Sequence, residues 1–62
     1  MIDVNVTNTA TGQSVQVRVN YDTLNARAAR AAREIAFGLG AHVTVTDGET
    51  TYRVTKRARK MS

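Results

Sequence analysis

The 62-residue sequence contains no cysteine, no proline and no tryptophan, and it has a single histidine. Without cysteine the chain forms no disulfide and no thiolate metal site, and His42 does not complete a metal shell by itself. A domain of this size buries only about 60% of the surface that its unfolded chain exposes. We therefore expect no metal or cofactor, and a marginal stability that self-association or a partner would raise.

Long apolar runs are absent as well. No stretch approaches the roughly 20 apolar residues of a membrane span, and no apolar block near Met1 is typical of a signal peptide. There is also no cysteine nucleophile, no glycine-rich phosphate loop and no pair of carboxylates in a cleft, since Asp47 and Glu49 share one turn. We expect a cytoplasmic protein that is not an enzyme, has no small-molecule substrate and does not contact a membrane.

Two strands are predicted in the first third of the chain. Residues 2–8 and 14–21 alternate strictly between apolar and polar positions, which is typical of half-buried strands. The four residues between Asn8 and Gln13 form a turn in which Gly12 takes the left-handed conformation. Pairing Asn8 with Gln13 then places the apolar residues opposite one another: Ile2 with Val19, Val4 with Val17, and Val6 with Val15. The same register sets Asp3 opposite Arg18 as a cross-strand ion pair.

A second hairpin is predicted near the end of the chain. Asp47-Gly48 is typical of a two-residue type I′ turn. Counted outward from Thr46 and Glu49, this turn pairs apolar and polar positions so that one face is apolar: Val45 with Thr50, Val43 with Tyr52, and Ala41 with Val54. A one-residue slip in either hairpin would expose the whole apolar set.

A helix is predicted between the hairpins. Asp22 is a suitable N-cap, and Gly40 suits the left-handed position that follows Leu39. The helical period places an apolar face toward the sheet: Leu24, Ala28, Ala31, Ala32, Ile35 and Leu39. Arg30 and Arg33 point away from that face, and Arg27 points toward one flank.

The order ββαββ predicts one α+β domain over residues 1–62, with one helix on one face of a four-stranded, mainly antiparallel sheet and a basic tail from about residue 56. Two strand orders are compatible with it, 2-1-3-4 and 1-2-4-3. The other sheet face stays uncovered and is polar: Asp3, Asn5, Thr7, Ser14, Gln16, Arg18, Asn20, His42, Thr44, Thr46, Thr51, Arg53, Thr55 and Arg57.

Basic residues suggest a function, because nine Lys and Arg stand against five Asp and Glu, a net charge of +4. Guanidinium groups bind phosphate through two parallel hydrogen bonds, so clustered arginines favour nucleic acid. The predicted contact residues are Arg27, Arg30, Arg33, Arg53, Lys56, Arg57, Arg59 and Lys60. Simpler explanations exist for each cluster: arginines that solubilise a helix, with Glu34 neutralising Arg30, and a frayed, solvated C-terminus.

The polar sheet face is a further candidate, because Thr, Asn, Gln and Arg on strands can read base edges in a DNA groove. Threonine is also simply a good strand former on a wet surface. No aromatic is predicted on that face, which disfavours base stacking there. We expect His42 beside Arg53 to be a surface pair and not a catalytic base.

An alternative function belongs to another class. The thin core, the open sheet face and the strand edges are typical of a self-associating or inhibitor-type protein that binds a protein partner, such as small phage and mobile-element genomes encode. Phe37 falls on the arginine side of the helix, where an exposed aromatic marks an interface. A homodimer is expected in this case, and Phe37→Ala should disturb assembly but not phosphate binding.

Overall fold

The computed structural model describes residues 1–55. Within them the chain forms β1 (Ile2–Asn8), β2 (Ser14–Val19), α1 (Ala26–Ala36), β3 (Val43–Asp47) and β4 (Thr50–Val54). The strands make one sheet in the order β2-β1-β3-β4, and all three neighbouring pairs are antiparallel. The predicted α+β fold is confirmed, and the structure has the first of the two possible strand orders. β2 and β4 are therefore the edge strands.

The first hairpin has the predicted register. Asn8 N–H donates to the Gln13 carbonyl at 2.7 Å, and Gly12 closes the turn with φ +83°. The Asn8 side chain stabilises the turn from within, because its Oδ1 accepts from the backbone N–H groups of Ala10 and Thr11. The apolar pairs are the predicted ones: Ile2–Val19, Val4–Val17 and Val6–Val15. β2 ends at Val19, two residues before the predicted end.

The second hairpin turns one residue later than predicted. Asp47 pairs with Thr50, so the turn residues are Gly48 and Glu49 and not Asp47-Gly48. Only Gly48 has a positive φ, +63°, which is the pattern of a type II′ turn and not of type I′. The predicted pairs were consequently wrong by two positions, and the observed apolar pairs are Val43–Val54 and Val45–Tyr52.

This correction has a simple physical reason. The predicted register set Val45 against the polar Thr50 and the small Ala41 against Val54, whereas the observed register sets Val45 against Tyr52 and Val43 against Val54, so both valines of β3 have an apolar partner. A shift of two residues keeps each side chain on its face, so the predicted inner and outer faces of β3 and β4 are unchanged.

Helix α1 starts later than predicted. Its N-cap is Asn25 and not Asp22: Asn25 Oδ1 accepts from Ala28 N–H at 2.8 Å. Leu24, just before this cap, is buried in the same cluster as Ala29, four positions after the cap. This contact is a hydrophobic staple, and it requires Leu24 to precede the helix and not to belong to its first turn.

The helix also ends earlier than predicted. Gly38 has φ +94° and donates to the Glu34 carbonyl at 3.2 Å, so Gly38, and not Gly40, is the left-handed residue that follows the helix. Phe37 is the C-cap, and its N–H donates to the Arg33 carbonyl at 2.8 Å. Leu39 thus lies outside the helix.

The helix face that packs on the sheet agrees only in part with the predicted one. Ala28 and Ala32 are fully buried as predicted, but Ala29 is fully buried as well, while Ile35 is 60% exposed and Leu39 is 68% exposed. On a helical wheel this is a rotation of about 50° from the predicted face. Alanines have no bulk beyond Cβ, so this face brings the helix close to the valines of the sheet, whereas Ile35 would hold it away.

The core lies between the alanines of α1 and one face of the sheet. Five valines there, Val4, Val6, Val19, Val43 and Val45, have at most 2% of their surface exposed. No buried residue among 1–55 is polar or charged. The helix therefore covers one face of the sheet, and the polar strand residues lie on the other face or at the strand ends.

Candidate nucleic-acid interface

Formal charge is divided unevenly along the chain. Residues 1–55 contain five arginines and five carboxylates, so the described part of the protein is formally neutral. The whole net charge of +4 comes from Lys56, Arg57, Arg59 and Lys60. These four predicted contact residues lie outside the described residues. The position of the other four predicted contacts relative to this tail therefore determines where an anion would bind.

A groove runs between helix α1 and edge strand β4; we call it the α1–β4 groove. Its first part is a depression of about 290 Å³, and its lining includes Ala29, Arg30, Tyr52, Arg53 and Val54. Its second part, of about 310 Å³, is lined by Arg30, Arg33, Leu39, Val54 and Thr55. Because Arg30 and Val54 line both parts, the two depressions adjoin. Two predicted contact residues of the helix, Arg30 and Arg33, thus line this groove, and Arg53 borders its first part from a strand position that faces the other side of the sheet.

The groove ends at Thr55. Thr55 lines both parts of the α1–β4 groove, and it also lines a third depression of about 300 Å³ on the far side of β4, beside His42 and Arg53. Lys56, the first cation of the basic tail, is the next residue in the sequence.

The helix rotation explains why two of the three helix arginines face the groove. With Ala29 turned toward the sheet, the side of the helix toward β4 carries Arg33 and Arg30, and Arg33 becomes half-buried. Arg27 is exposed but lines neither part of the groove. Arg27 is consequently separated from Arg30 and Arg33, which line the groove.

No carboxylate neutralises the groove arginines within residues 1–55. The ion pair found there joins Arg18 and Asp3 at 2.8 Å, and Glu34 does not pair with Arg30, as the simpler explanation of the helix arginines required. Arg33 Nε is buried without a hydrogen-bond partner in this part of the chain. A desolvated donor of this kind is stabilised when an acceptor approaches the guanidinium.

Two side-chain pairs on the uncovered sheet face are engaged with each other. Arg18 Nε donates to Asp3 Oδ1, and the Thr7 and Ser14 hydroxyls share a hydrogen bond of 2.9 Å. The hydrogen bond from Arg18 lowers the pKa of Asp3 below its ordinary value, and that bond raises the pKa of Arg18 in turn. Arg53 pairs with Thr44, so its strand position belongs to this uncovered face.

Two further candidates, Phe37 and His42, make contacts within the fold. Phe37 is half-buried and packs against the core, so it does not form the exposed aromatic that the interface hypothesis assumed. His42 is exposed, and its carbonyl accepts from the Thr9 hydroxyl at 2.9 Å and the Thr9 N–H at 3.0 Å. The register sets His42 near Thr55 and not directly opposite Arg53, although both line the third depression.

Within residues 1–55, no helix has the length and apolar character needed to cross a bilayer. In the same range, no group of three or more His, Asp or Glu side chains is arranged to hold a metal ion. Comparisons with protein-family models, with curated proteins and with solved structures returned no match.

Sequence reasoning missed two features of the groove, Tyr52 and Leu39. Both were assigned to the core face, and both line the groove in the structure. The sequence did not determine the strand order. In the order 2-1-3-4 strand β4 is an edge strand, so a ligand can approach a residue on its inner face from the edge of the sheet. In the alternative order β4 would have been internal.

Proposed function

We propose that this protein is a small nucleic-acid-binding module that contacts backbone phosphates with Arg30, Arg33, Arg53 and the basic tail. The observation that carries the proposal is that Arg30 and Arg33 line a groove bordered by Arg53 and ending at Thr55, the residue that precedes Lys56 in the sequence. Planar guanidinium groups donate two hydrogen bonds to one phosphate, and several along a groove can follow a backbone.

The basic tail follows the groove end directly in the sequence: its four cations lie within five residues after Thr55. Their charge attracts a polyanion to a fold that is otherwise formally neutral, and the groove arginines supply directed hydrogen bonds.

A salt titration tests this proposal. The full chain is titrated into a labelled mixed-sequence oligonucleotide, as single strand and as duplex, between about 50 and 200 mM salt. The affinity should fall with a log–log slope of about −0.7 per phosphate contacted on a single strand and −0.9 on a duplex. Replacing the four tail cations by Gln should make the slope shallower by about 3. Absence of binding to both forms at the lowest salt would overturn the proposal.

A second function, self-association, is favoured by a different observation at the opposite edge. Edge strand β2 has no strand on its outer side within residues 1–55, and Ile35 is 60% exposed on the flank of α1 away from the groove. Pairing of two β2 edges in a symmetric dimer would extend the sheet and cover Ile35. Because this edge is remote from the groove, such a dimer leaves phosphate binding intact and doubles the basic surface.

Light scattering distinguishes this second function. A dimer at high micromolar concentration, converted to a monomer by Ile35→Ser, would support it, and a monomeric parent chain would refute it. Phe37→Ala should mainly destabilise the fold, because Phe37 packs on the core of its own chain.

A further inference from the structure

The α1–β4 groove combines an aromatic ring with the arginines. The chain has three aromatic residues, Tyr21, Phe37 and Tyr52, and of these Tyr52 lines the groove. Tyr52 is half-buried and, like Phe37, packs against the core: it lies on the inner face of edge strand β4 opposite Val45, but unlike Phe37 it also lines the first depression. Arg30 and Arg53 line the same depression. An aromatic ring flanked by cationic side chains is the arrangement used to bind nucleobases along a backbone.

The size of this depression limits its occupant. Pockets for small molecules run from roughly 300 to 1,000 Å³, and the first depression, at about 290 Å³, is at the lower end. This volume is sufficient for one planar group. The second depression adjoins it and carries Arg30 and Arg33 without an aromatic, so it suits the sugar-phosphate part of a neighbouring nucleotide.

We propose that the groove binds single-stranded nucleic acid, with one base against Tyr52 and the adjoining phosphates on Arg30 and Arg33. This inference depends on the proposed function and specifies its ligand. In a duplex both faces of each base are covered by its neighbours, so Tyr52 has no base to stack on unless a nucleotide leaves the helix. Single strands present base faces freely, and stacking on an aromatic tolerates any base.

The uncovered sheet face does not offer the same chemistry. Its polar groups include the Asp3–Arg18 ion pair and the Thr7–Ser14 hydrogen bond, and none of its strand positions within residues 1–55 carries an aromatic. A duplex lying on that face would have to displace these contacts. The charge of the groove therefore complements a phosphate backbone better than the charge of the sheet does.

Tyrosine fluorescence tests the inference without disturbing the fold. The chain has no tryptophan and two tyrosines, so Tyr21→Phe leaves Tyr52 as the only emitter and Tyr52→Phe leaves Tyr21. Both substitutions keep the ring and its packing. Each variant is titrated at low salt with an oligothymidylate of about ten nucleotides, a length within the usual single-strand site sizes. We expect strong quenching in Tyr21→Phe and little in Tyr52→Phe.

Affinity provides a second readout. Tyr52→Leu, which removes the ring, should weaken binding of the oligothymidylate by about fivefold or more and leave binding of a hairpin duplex unchanged. Thermal unfolding establishes that this variant is folded, and Tyr21→Leu is the matched control. If Tyr52→Leu does not fold, the quenching experiment alone decides.

The possible failures are distinguishable. Salt-dependent binding with equal quenching of both tyrosines, or with no quenching, overturns the single-strand inference and leaves the proposed function standing. Equal affinity for the duplex and the single strand likewise overturns the single-strand inference and leaves the proposed function standing. Absence of binding to either probe overturns the proposed function itself. If polyglutamate quenches Tyr52 fluorescence as strongly as oligothymidylate does, the inference is overturned in favour of an acidic protein partner.

Discussion

The orientation of helix α1 can be tested with two alanine positions. Ala29 is fully buried against the sheet, while Ala31, which the sequence placed on the inner face, is half-buried at the flank. Ala29→Leu inserts three extra carbons where the helix and sheet are in contact. Overpacking of this kind destabilises a core by about 1–3 kcal/mol. A chain of 62 residues has a total stability of about 3–9 kcal/mol, so Ala29→Leu should remove a large fraction of it.

The assay is thermal and urea unfolding followed by circular dichroism. A loss of 2 kcal/mol lowers the Tm of a domain this small by about 8–16 °C. Ala31→Leu is the matched control: it adds the same carbons at the flank, leucine is a good helix former, and the expected change is within about 0.5 kcal/mol. A larger loss for Ala31→Leu than for Ala29→Leu would refute the observed orientation and remove Arg33 from the groove.

The remaining predictions concern the helix end, the surface ion pair and the free sheet edge. Gly38→Ala should destabilise by about 1 kcal/mol because φ is +94°, while Gly40→Ala should be neutral by the same unfolding assay. Since Arg18 lowers the pKa of Asp3 below 3.8, their ion pair stabilises the fold above that pH, and the advantage over Asp3→Asn should vanish in acid unfolding near pH 2. Sedimentation should show Ile35→Ser to be less associated than the parent chain, and equal association would exclude the β2 edge as the interface.

The first hairpin was predictable because several local signals agree. Strict alternation fixes the faces of both strands, a four-residue connection with Gly12 fixes the turn, and the resulting register pairs every valine and also Asp3 with Arg18. Each signal depends on residues close in sequence. No information about the rest of the fold was needed, and the structure confirms each pair.

The second hairpin shows the limit of that approach. Asp47-Gly48 and Gly48-Glu49 are both compatible with a two-residue turn, and both keep Val43 and Val45 on the core face. Choosing between them requires the energy of tertiary packing, which favours Tyr52 opposite Val45. Turn propensity alone does not include this packing energy.

The helix errors have a related cause. Asp22 and Asn25 are both good N-caps, and Gly38 and Gly40 both suit a left-handed residue, so local chemistry allows either boundary. The choice is made by Leu24, which is buried before the first turn as a staple. In an alanine-rich helix, several faces are apolar enough to pack, and close approach to the sheet selected the one with Ala29.

The candidate site was predicted by residue type but not by arrangement. Arginine clustering identified Arg30 and Arg33, yet their position in a groove depends on the strand order that places β4 at an edge and on the helix rotation. Tyr52 was recognised only as a core residue. Assembly of a groove from separate elements is a tertiary property, which periodicity within one element does not report.

The most direct test of the central claim compares two helix arginines that carry equal charge. Arg30 lines the α1–β4 groove, and Arg27 is exposed outside it. Binding of labelled oligothymidylate is measured for Arg30→Gln and Arg27→Gln across a salt series. We predict that Arg30→Gln weakens binding by about tenfold and makes the salt slope shallower by about 0.7, while Arg27→Gln changes affinity by less than about twofold. Equal losses for the two variants would contradict a defined groove and leave only diffuse attraction between charges.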